Sequence, residues 1–561
     1  MEIGHAAKPV GDDRISKLDD AVLGHVLSFL PSKQAARAAA LSSRWRDFIA
    51  CVHTLSFEEP DCGVPHYDDS SDSDDDGQLH PLSRFVAAIT AAIVARHRTP
   101  AATPPLRAFR VVLHRCKYGD SVAVDQWVSY ALKRAGPELE LDLRLRCLPI
   151  YCHRGAGSDD DEEDDNDDNP VSSADSIAPP EDDHTNDSED DFVSSEDESV
   201  PSEDEDEDDR LYTVPSGLFS CSALRKLRIG PCRLSPPSAI SLPSLAELLL
   251  TRVSDGEDEV QRLISACPRL ADLTLESCDT VTVLSLLDTR LRMLALRCCH
   301  NLSHVKVDVS ELDAFEYKGS VPKMPFLTTF GATGWFLAMP SLATCTVEIC
   351  GGEVSGTEEL TRLTMFLHHF ASTKHLRLRC KHLCPGIGGD DAVTRIPMFN
   401  NLQHLELWGH LPQDGDATDI VGMTSRILGQ ARNLEVLSFA FETGTWTDIE
   451  DDGPLACGRY DCTDRELLEA HRLRYNQYSS LDAPNGGAMI SCLANSVREI
   501  HLVHYQGGRA QRTLARFLLR NAPVIDELWC QFADGPLWLQ TELMREMKTW
   551  VMNHKANMVF L

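Results

Sequence analysis

Nineteen cysteines and 21 histidines lie along 561 residues, so metal ligation and thiol chemistry are the first functions to weigh. A structural zinc site usually announces itself as two short-spaced ligand pairs, each presented by one tight turn. Cys380-Lys-His-Leu-Cys384 is an isolated cluster with no second pair to match it. Cys232, Cys278, Cys299 and Cys350, with His300 beside them, each fall eight residues after an apolar residue that opens a recurring phrase. That is a packing position, so no metal and no cofactor are expected. Hydrolytic and phosphate chemistry fare no better: there is no His-Glu-x-x-His, no Gly-x-x-x-x-Gly-Lys and no nucleophile elbow. Gly386-Ile-Gly-Gly389 lacks the strand and helix that would give a glycine loop meaning. The chain is therefore expected to bind rather than to catalyse.

The recurring phrase carries the architecture. Leu224-x-x-Leu227-x-Ile229, Leu245-x-x-Leu248-x-Leu250, Leu270-x-x-Leu273-x-Leu275 and Leu291-x-x-Leu294-x-Leu296 start 21, 25 and 21 residues apart. This phrase and period are the leucine-rich-repeat signature, in which each unit supplies one short parallel strand and a return, and stacking buries the leucines continuously. Earlier strands are predicted at Leu106 to Val111 and Leu139 to Leu143. Looser ones follow at Leu342 to Val347, Leu376 to Leu378, Leu402 to Leu407, Leu434 to Phe439, Val497 to Leu502 and Ile525 to Leu528. The residues either side of the second leucine point to the exposed strand face. They form the candidate substrate face: Lys226, Arg228, Asp272, Thr274, His404, Glu406, Glu499 and His501, with Met293, Ala295, His375, Arg377, Glu527 and Trp529. Their mixture of charge and aromaticity marks a surface and names no ligand.

Ahead of the repeats, Val22, Leu23, Val26, Leu27 and Leu30 have helical spacing, with Ser16 as a possible cap and Pro31 as the stop. Ser32 and Ser42 can cap two more short helices, the last carrying Trp45. So many large apolar side chains in about 40 residues exceed what a marginal core can hide, which predicts a partner. The string Asp13-Arg-Ile-Ser-Lys-Leu18, Val22-Leu23, Leu27-Ser-Phe-Leu-Pro31, Leu41-Ser-Ser-Arg-Trp-Arg46 and Leu55-Ser-Phe57 resembles a plant F-box. That resemblance implies a contact with the Skp-type adaptor of cullin–RING ubiquitin ligases through Leu18, Leu23, Leu27, Leu30, Pro31 and Trp45. Asp19 stands where such modules usually have proline; it suits a first helical turn but puts a charge at the expected contact. Phe517-Leu-Leu-Arg-Asn-Ala522 and Met558-Val-Phe-Leu561 resemble the FBD region that follows the repeats in many plant F-box proteins, with a final helix over Leu537 to His554, and imply a cap on the array.

The formal charge of −34 is localised: 159–209 holds 27 Asp and Glu with no Lys or Arg, and 68–76 holds six more, leaving the rest near neutral. A segment so poor in apolar residues is expected to be a disordered, solvated insert. It could attract basic proteins, and it argues against nucleic acid. No apolar run approaches the ~18 residues a membrane span needs, and the opening residues show no export signal. Reduced thiols in an intracellular setting, cytoplasmic or nuclear, follow.

The fold expected is α/β: a small three-helix F-box, then a leucine-rich-repeat solenoid of parallel strands with helical or irregular returns, interrupted by the acidic insert. In order, the chain is expected to comprise a flexible tail (1–12), F-box (13–57), acidic linker (58–79), first repeats (80–154), acidic insert (155–209), repeats (210–447), an insertion (448–489) and an FBD-like end (490–561). The function implied is a non-catalytic ligase subunit that holds a protein substrate and reaches a cullin through the adaptor. The alternative is a repeat scaffold outside any ligase, its acidic insert binding basic proteins.

Overall fold

The computed structural model describes residues 18–40, 51–59, 81–98, 103–113, 121–145, 211–287, 290–331, 334–336, 339, 341–351, 354, 356–382, 396–411, 417–442, 468, 473, 475, 481 and 490–561. The acidic insert, Ser16, Trp45 and the third F-box helix lie outside them.

The elements begin with α1 (Asp20–Leu27) and α2 (Ser32–Ala40), then β1 (Thr54–Glu58), α3 (Pro81–Arg98), β2 (Leu106–Val112), α4 (Ser121–Lys133) and β3 (Ala135–Arg144). After the insert come β4 (Leu224–Gly230), β5 (Glu247–Thr251), α5 (Glu257–Ser265), β6 (Asp272–Glu276), β7 (Val283–Leu286), β8 (Met293–Arg297), β9 (His304–Asp308) and β10 (Ala314–Gly319). The next are β11 (Leu327–Gly331), β12 (Gly334–Phe336), β13 (Thr344–Ile349), α6 (Thr357–Leu367), β14 (His375–His382), β15 (His404–His410), α7 (Ala417–Gly429) and β16 (Val436–Phe441). The chain ends with α8 (Ser491–Asn495), β17 (Glu499–Tyr505), α9 (Arg509–Asn521), β18 (Glu527–Phe532), α10 (Leu537–Trp550) and β19 (Asn557–Phe560).

Fifteen strands join one sheet in the order β1-β2-β3-β4-β5-β6-β8-β10-β13-β14-β15-β16-β17-β18-β19, and the pairing is parallel at every step. One register row crosses all fifteen: Leu55, Phe109, Leu141, Leu227, Leu248, Leu273, Leu294, Phe315, Cys345, Leu376, Leu405, Leu437, Ile500, Leu528 and Met558 stand side by side. Nearly all of it is buried. Each such side chain contributes roughly 1.5 to 3 kcal/mol of burial that no single unit could realise alone.

The returns take two forms. Asp272 opposes Met293 and Met293 opposes Ala314, 21 residues apart each time, too few for a helix and two turns. Those returns carry β7 and β9, and the longer return between Ala314 and Thr344 carries β11 and β12; together they form a second sheet, ordered β12-β11-β9-β7, where helical or irregular returns were expected. In other longer units helices appear: α5 lies between Glu247 and its partner Asp272, α6 between Thr344 and His375, α7 between His404 and Val436.

Two expected boundaries move. Leu55 and Phe57, read as the close of the F-box, lie in β1, the first strand of the sheet, so the repeat array begins at Thr54 instead of near residue 80. The segment read as an insertion contributes packed residues: Leu468, Leu473 and Tyr475 are buried. The Tyr475 hydroxyl donates to Glu546 at 3.3 Å, and the Arg512 guanidinium lies 5.0 Å over its ring while pairing with Glu546. At the far end β19 pairs with β18, and α10 buries Leu539, Leu543, Met547 and Trp550.

Among the described residues no helix is long and apolar enough to cross a membrane.

Candidate functional site

Two surfaces stand out as candidate binding faces. The first is α1. Its extended N-cap is Asp19, and its inner face packs on the segment that leads into β1. Leu23 and Leu27 are only 2% and 5% exposed. Between them Gly24 sits so close to Cys51 that a Cβ would stand 2.7 Å from the Cys51 carbonyl oxygen. The Ser28 hydroxyl donates to the Gly24 carbonyl at 2.7 Å and accepts from the His53 amide at 3.0 Å, pinning the helix end to that segment.

Leu23 and Leu27, expected to meet an adaptor, therefore face the interior: an apolar helix laid against its own chain spends one side on the core. The remaining side carries Leu18, Val22, Val26 and Phe29, exposed by 36%, 45%, 49% and 74%. Val22 and Val26 stand one turn apart on α1, and Leu18 and Phe29 flank its two ends. Leu30 is half-buried against the core and Pro31 is exposed. Trp45 lies outside the described residues. Val22, Val26 and Phe29 are the members the sequence reading did not select; the signal was present, since apolar residues surround α1, but only packing divides inner from outer. His25 extends the stripe, its ring meeting Phe29 edge-on at 5.0 Å and its Nδ1 lying 2.9 Å from His53 Nε2.

Behind α1 the array is bolted on by Arg96 of α3, which is fully buried. Its guanidinium donates to the Tyr130 hydroxyl at 2.9 Å, to the Pro104 carbonyl at 3.0 Å and to the Val52 carbonyl. One side chain thus ties the F-box tail, a loop and α4 together.

The second surface is the outward face of the sheet. Register places the expected face residues in two continuous rows: Lys226, Glu247, Asp272, Met293, Ala314, Thr344, His375 and His404 in one, and Arg228, Leu249, Thr274, Ala295, Glu316, Thr346, Arg377 and Glu406 in the other. The rows continue through β16 to Glu499 and Glu527, and to His501 and Trp529. All eight named candidates stand in these rows, but Thr274, expected to be exposed, is buried, as is Ala295 beside it.

The charges are already committed. Lys226 lies 3.1 Å and Arg228 2.5 Å from Glu247. Partial burial opposes ionisation of Glu247, but these two cations outweigh it and hold the carboxyl below its usual range. Arg377 pairs with Glu406 at 2.8 Å. A third row, one step past the phrase and so missed in the sequence, runs Glu276, Arg297, Lys318, Glu348, Arg379 and Trp408. It mixes both signs, with Arg297–Glu316 at 2.7 Å, Lys318–Glu348 at 2.8 Å and Arg379–Glu442 at 2.6 Å, and Arg379 lies 5.2 Å over the Trp408 ring.

Toward β17 the face becomes rich in imidazole. His375 and His404 sit 5.7 Å apart on neighbouring strands, and His501 Nδ1 is 3.3 Å from the Ser438 hydroxyl and its ring 6.0 Å from Trp529. Burial, reinforced by His375, lowers the pKa of His404, so it stays neutral at pH 7. This end adds imidazole and indole rings to its charges, whereas the β4-to-β6 end offers mainly paired charges.

A stacked parallel-strand array with a helical docking module at its head defines an α/β leucine-rich-repeat protein carrying an F-box. The F-box domain matches residues 15–54, and a leucine-rich-repeat domain of the At1g61320/AtMIF1 type matches 204–386. Among relatives in Arabidopsis thaliana, F-box protein At3g59000 is 36% identical over 135 residues, 23% of this chain and 24% of that protein. Putative F-box/LRR-repeat protein At5g41840 is 24% identical over 280 residues, 47% of this chain and 37% of that one. F-box/LRR-repeat protein At3g60040 is 24% identical over 318 residues, 54% and 56% respectively. The chain thus spans between about a quarter and a little over half of these relatives. It is similar to these plant F-box/LRR-repeat proteins in carrying an F-box domain followed by a leucine-rich-repeat domain.

Proposed function

We propose that this chain is the substrate-receiving subunit of an SCF-type cullin–RING ubiquitin ligase, joined to a Skp-type adaptor through α1 and holding a protein on the outward face of its sheet. The observation that carries the reading is the exposure of Val22 and Val26 on α1, with Leu18 and Phe29 exposed just beyond its two ends, while the other side of the helix is buried against the head of the array. Four large apolar side chains facing water on and around one helix are an association surface, because leaving them wet forfeits their burial energy. The chain itself would break no bond: its contribution is proximity, holding a lysine of the bound protein near a ubiquitin-charged enzyme recruited elsewhere on the complex. The bolt at Arg96 serves that role, since the two binding surfaces must keep a constant separation.

The face from His375 to Trp529 is the proposed substrate platform, offering the imidazoles of His375, His404 and His501 and the indole of Trp529, with His501 Nε2 3.5 Å from Glu499. The FBD-like end, with α10 and β19, would close the array so that no leucine row is left open. Affinity capture of the intact chain and of Val26→Asp/Phe29→Asp from plant extract tests the proposal. The intact chain should recover a Skp-type adaptor and a cullin while the double variant recovers neither, and proteins held by both should accumulate in cells expressing the variant. Equal recovery of the adaptor by the two would remove the reading.

A further inference from the structure

The structure brings together three ligating side chains that the sequence keeps apart. Cys298 and His300 follow β8, Cys350 follows β13, and the ligand atoms of all three lie within 4.8 Å of one another. The strands β8 and β13 are not neighbours; β10 runs between them. Both cysteine turns are anchored on its end, the Cys298 amide donating to the Lys318 carbonyl at 2.5 Å and the Cys350 amide to the Gly319 carbonyl at 2.9 Å. Because β10 ends in glycine, no side chain of residue 319 stands between the flanking turns.

We propose that Cys298, His300 and Cys350 form a zinc site that clips the unit of β8 to that of β13 across β10. Zinc bonds of about 2.3 Å to sulfur and 2.0 Å to nitrogen, in tetrahedral arrangement, set ligand atoms roughly 3.6 to 3.8 Å apart. Side chains already within 4.8 Å need to close by only about 1 Å. Two thiolates and an imidazole are a soft donor set that suits zinc over magnesium or calcium. Binding releases the two thiol protons to solvent, and the two thiolate charges balance the ion, so the site is neutral, as a half-buried position requires. His300 is exposed, which leaves the fourth position to a water.

Two neighbouring thiols bond to backbone carbonyls. Cys278 donates to the Leu250 and Glu276 carbonyls at 3.6 Å, and Cys299 to the Arg297 carbonyl at 3.5 Å. The left-handed turn at Cys298 recurs at Arg252 and Ser277, so it belongs to the repeat and is not strain imposed by the site. Buried beside the cluster, the Tyr317 hydroxyl donates to the Ser320 carbonyl at 2.6 Å and keeps its proton, burial raising its pKa.

The test is metal content of the full-length chain, purified under reducing conditions with zinc in the growth medium and dialysed free of loose ion. One zinc per chain is expected, falling at least tenfold in Cys298→Ser/Cys350→Ser and unchanged in Cys299→Ser. Cobalt added to the zinc-free chain should give the thiolate-to-metal charge-transfer band and the visible ligand-field bands of a tetrahedral site, both lost in the double variant. Circular dichroism of each variant separates loss of metal from loss of fold, and the cobalt spectrum of the wild type does not depend on any variant folding. A wild-type chain without zinc and without the charge-transfer band overturns the assignment. So does zinc lost equally with Cys299→Ser, or a zinc-free chain in which Cys298 and Cys350 are joined as a disulfide.

Discussion

Replacing Phe29 with alanine and, separately, Leu27 with alanine should produce opposite defects although the residues are two apart. Full burial of a phenylalanine contributes roughly 1.5 to 3 kcal/mol. Phe29 is 74% exposed, so about three quarters of that gain, about 1 to 2 kcal/mol, is still available to a partner. Truncation should therefore weaken adaptor binding roughly 5- to 30-fold, since each 1.4 kcal/mol is a factor of ten. The free chain should melt at an unchanged temperature. Leu27 is 5% exposed and has almost no area left to offer. Its removal opens a cavity and should cost about 2 to 5 kcal/mol of stability. At a temperature where the variant remains folded, its affinity should stay within about threefold of wild type, because it loses no interfacial area. Calorimetric titration with a purified Skp-type adaptor and urea unfolding of each variant are the two assays. An adaptor affinity unchanged by Phe29→Ala but lost with Leu27→Ala, in a chain still folded, would show that α1 docks by its other side and that the proposed stripe is not the interface.

Arg96→Ala leaves the Val52 and Pro104 carbonyls without their donor, and at about 1 to 3 kcal/mol for each buried group it should cost about 2 to 5 kcal/mol, with hydrogen exchange rising around residues 51–55 before the later strands open. Gly24→Ala would gain about 1 kcal/mol of helix propensity in an open helix, but here the new Cβ meets the Cys51 carbonyl oxygen at 2.7 Å; the clash should win, lowering stability by about 1 to 3 kcal/mol in urea melts. His404 has its pKa lowered by burial and by His375, with His501 adding to the shift and Glu406 and Glu499 opposing it. The unfolded chain therefore takes up that proton first, at about pH 6.5, so stability should fall as pH drops from there through the lower folded value. His404→Gln should flatten that slope in urea melts at pH 5 to 7, and an identical slope in the variant would contradict the assignment.

The repeat period was open to reading because it is local arithmetic. Leucines at fixed offsets can be buried only if successive strands pair in phase, so Leu227, Leu248, Leu273 and Leu294 had to stand in one row and Lys226, Arg228, Asp272 and Thr274 on the opposite face. The F-box was legible for a different reason, a dense motif within 45 residues. What lay beyond that reading is whatever depends on which surface meets which. Apolar residues surround α1, and nothing in its spacing says that Leu23 and Leu27 turn inward while Val22, Val26 and Phe29 remain outside; the close approach of Gly24 to Cys51 decides it. Leu55 and Phe57 end a motif in sequence but begin a sheet in space, because Leu55 pairs with Phe109 of β2, 54 residues onward. Cys298 and Cys350, separated by two repeat units, meet only because parallel stacking returns the chain to the same height at every turn, which makes residues tens of positions apart into neighbours.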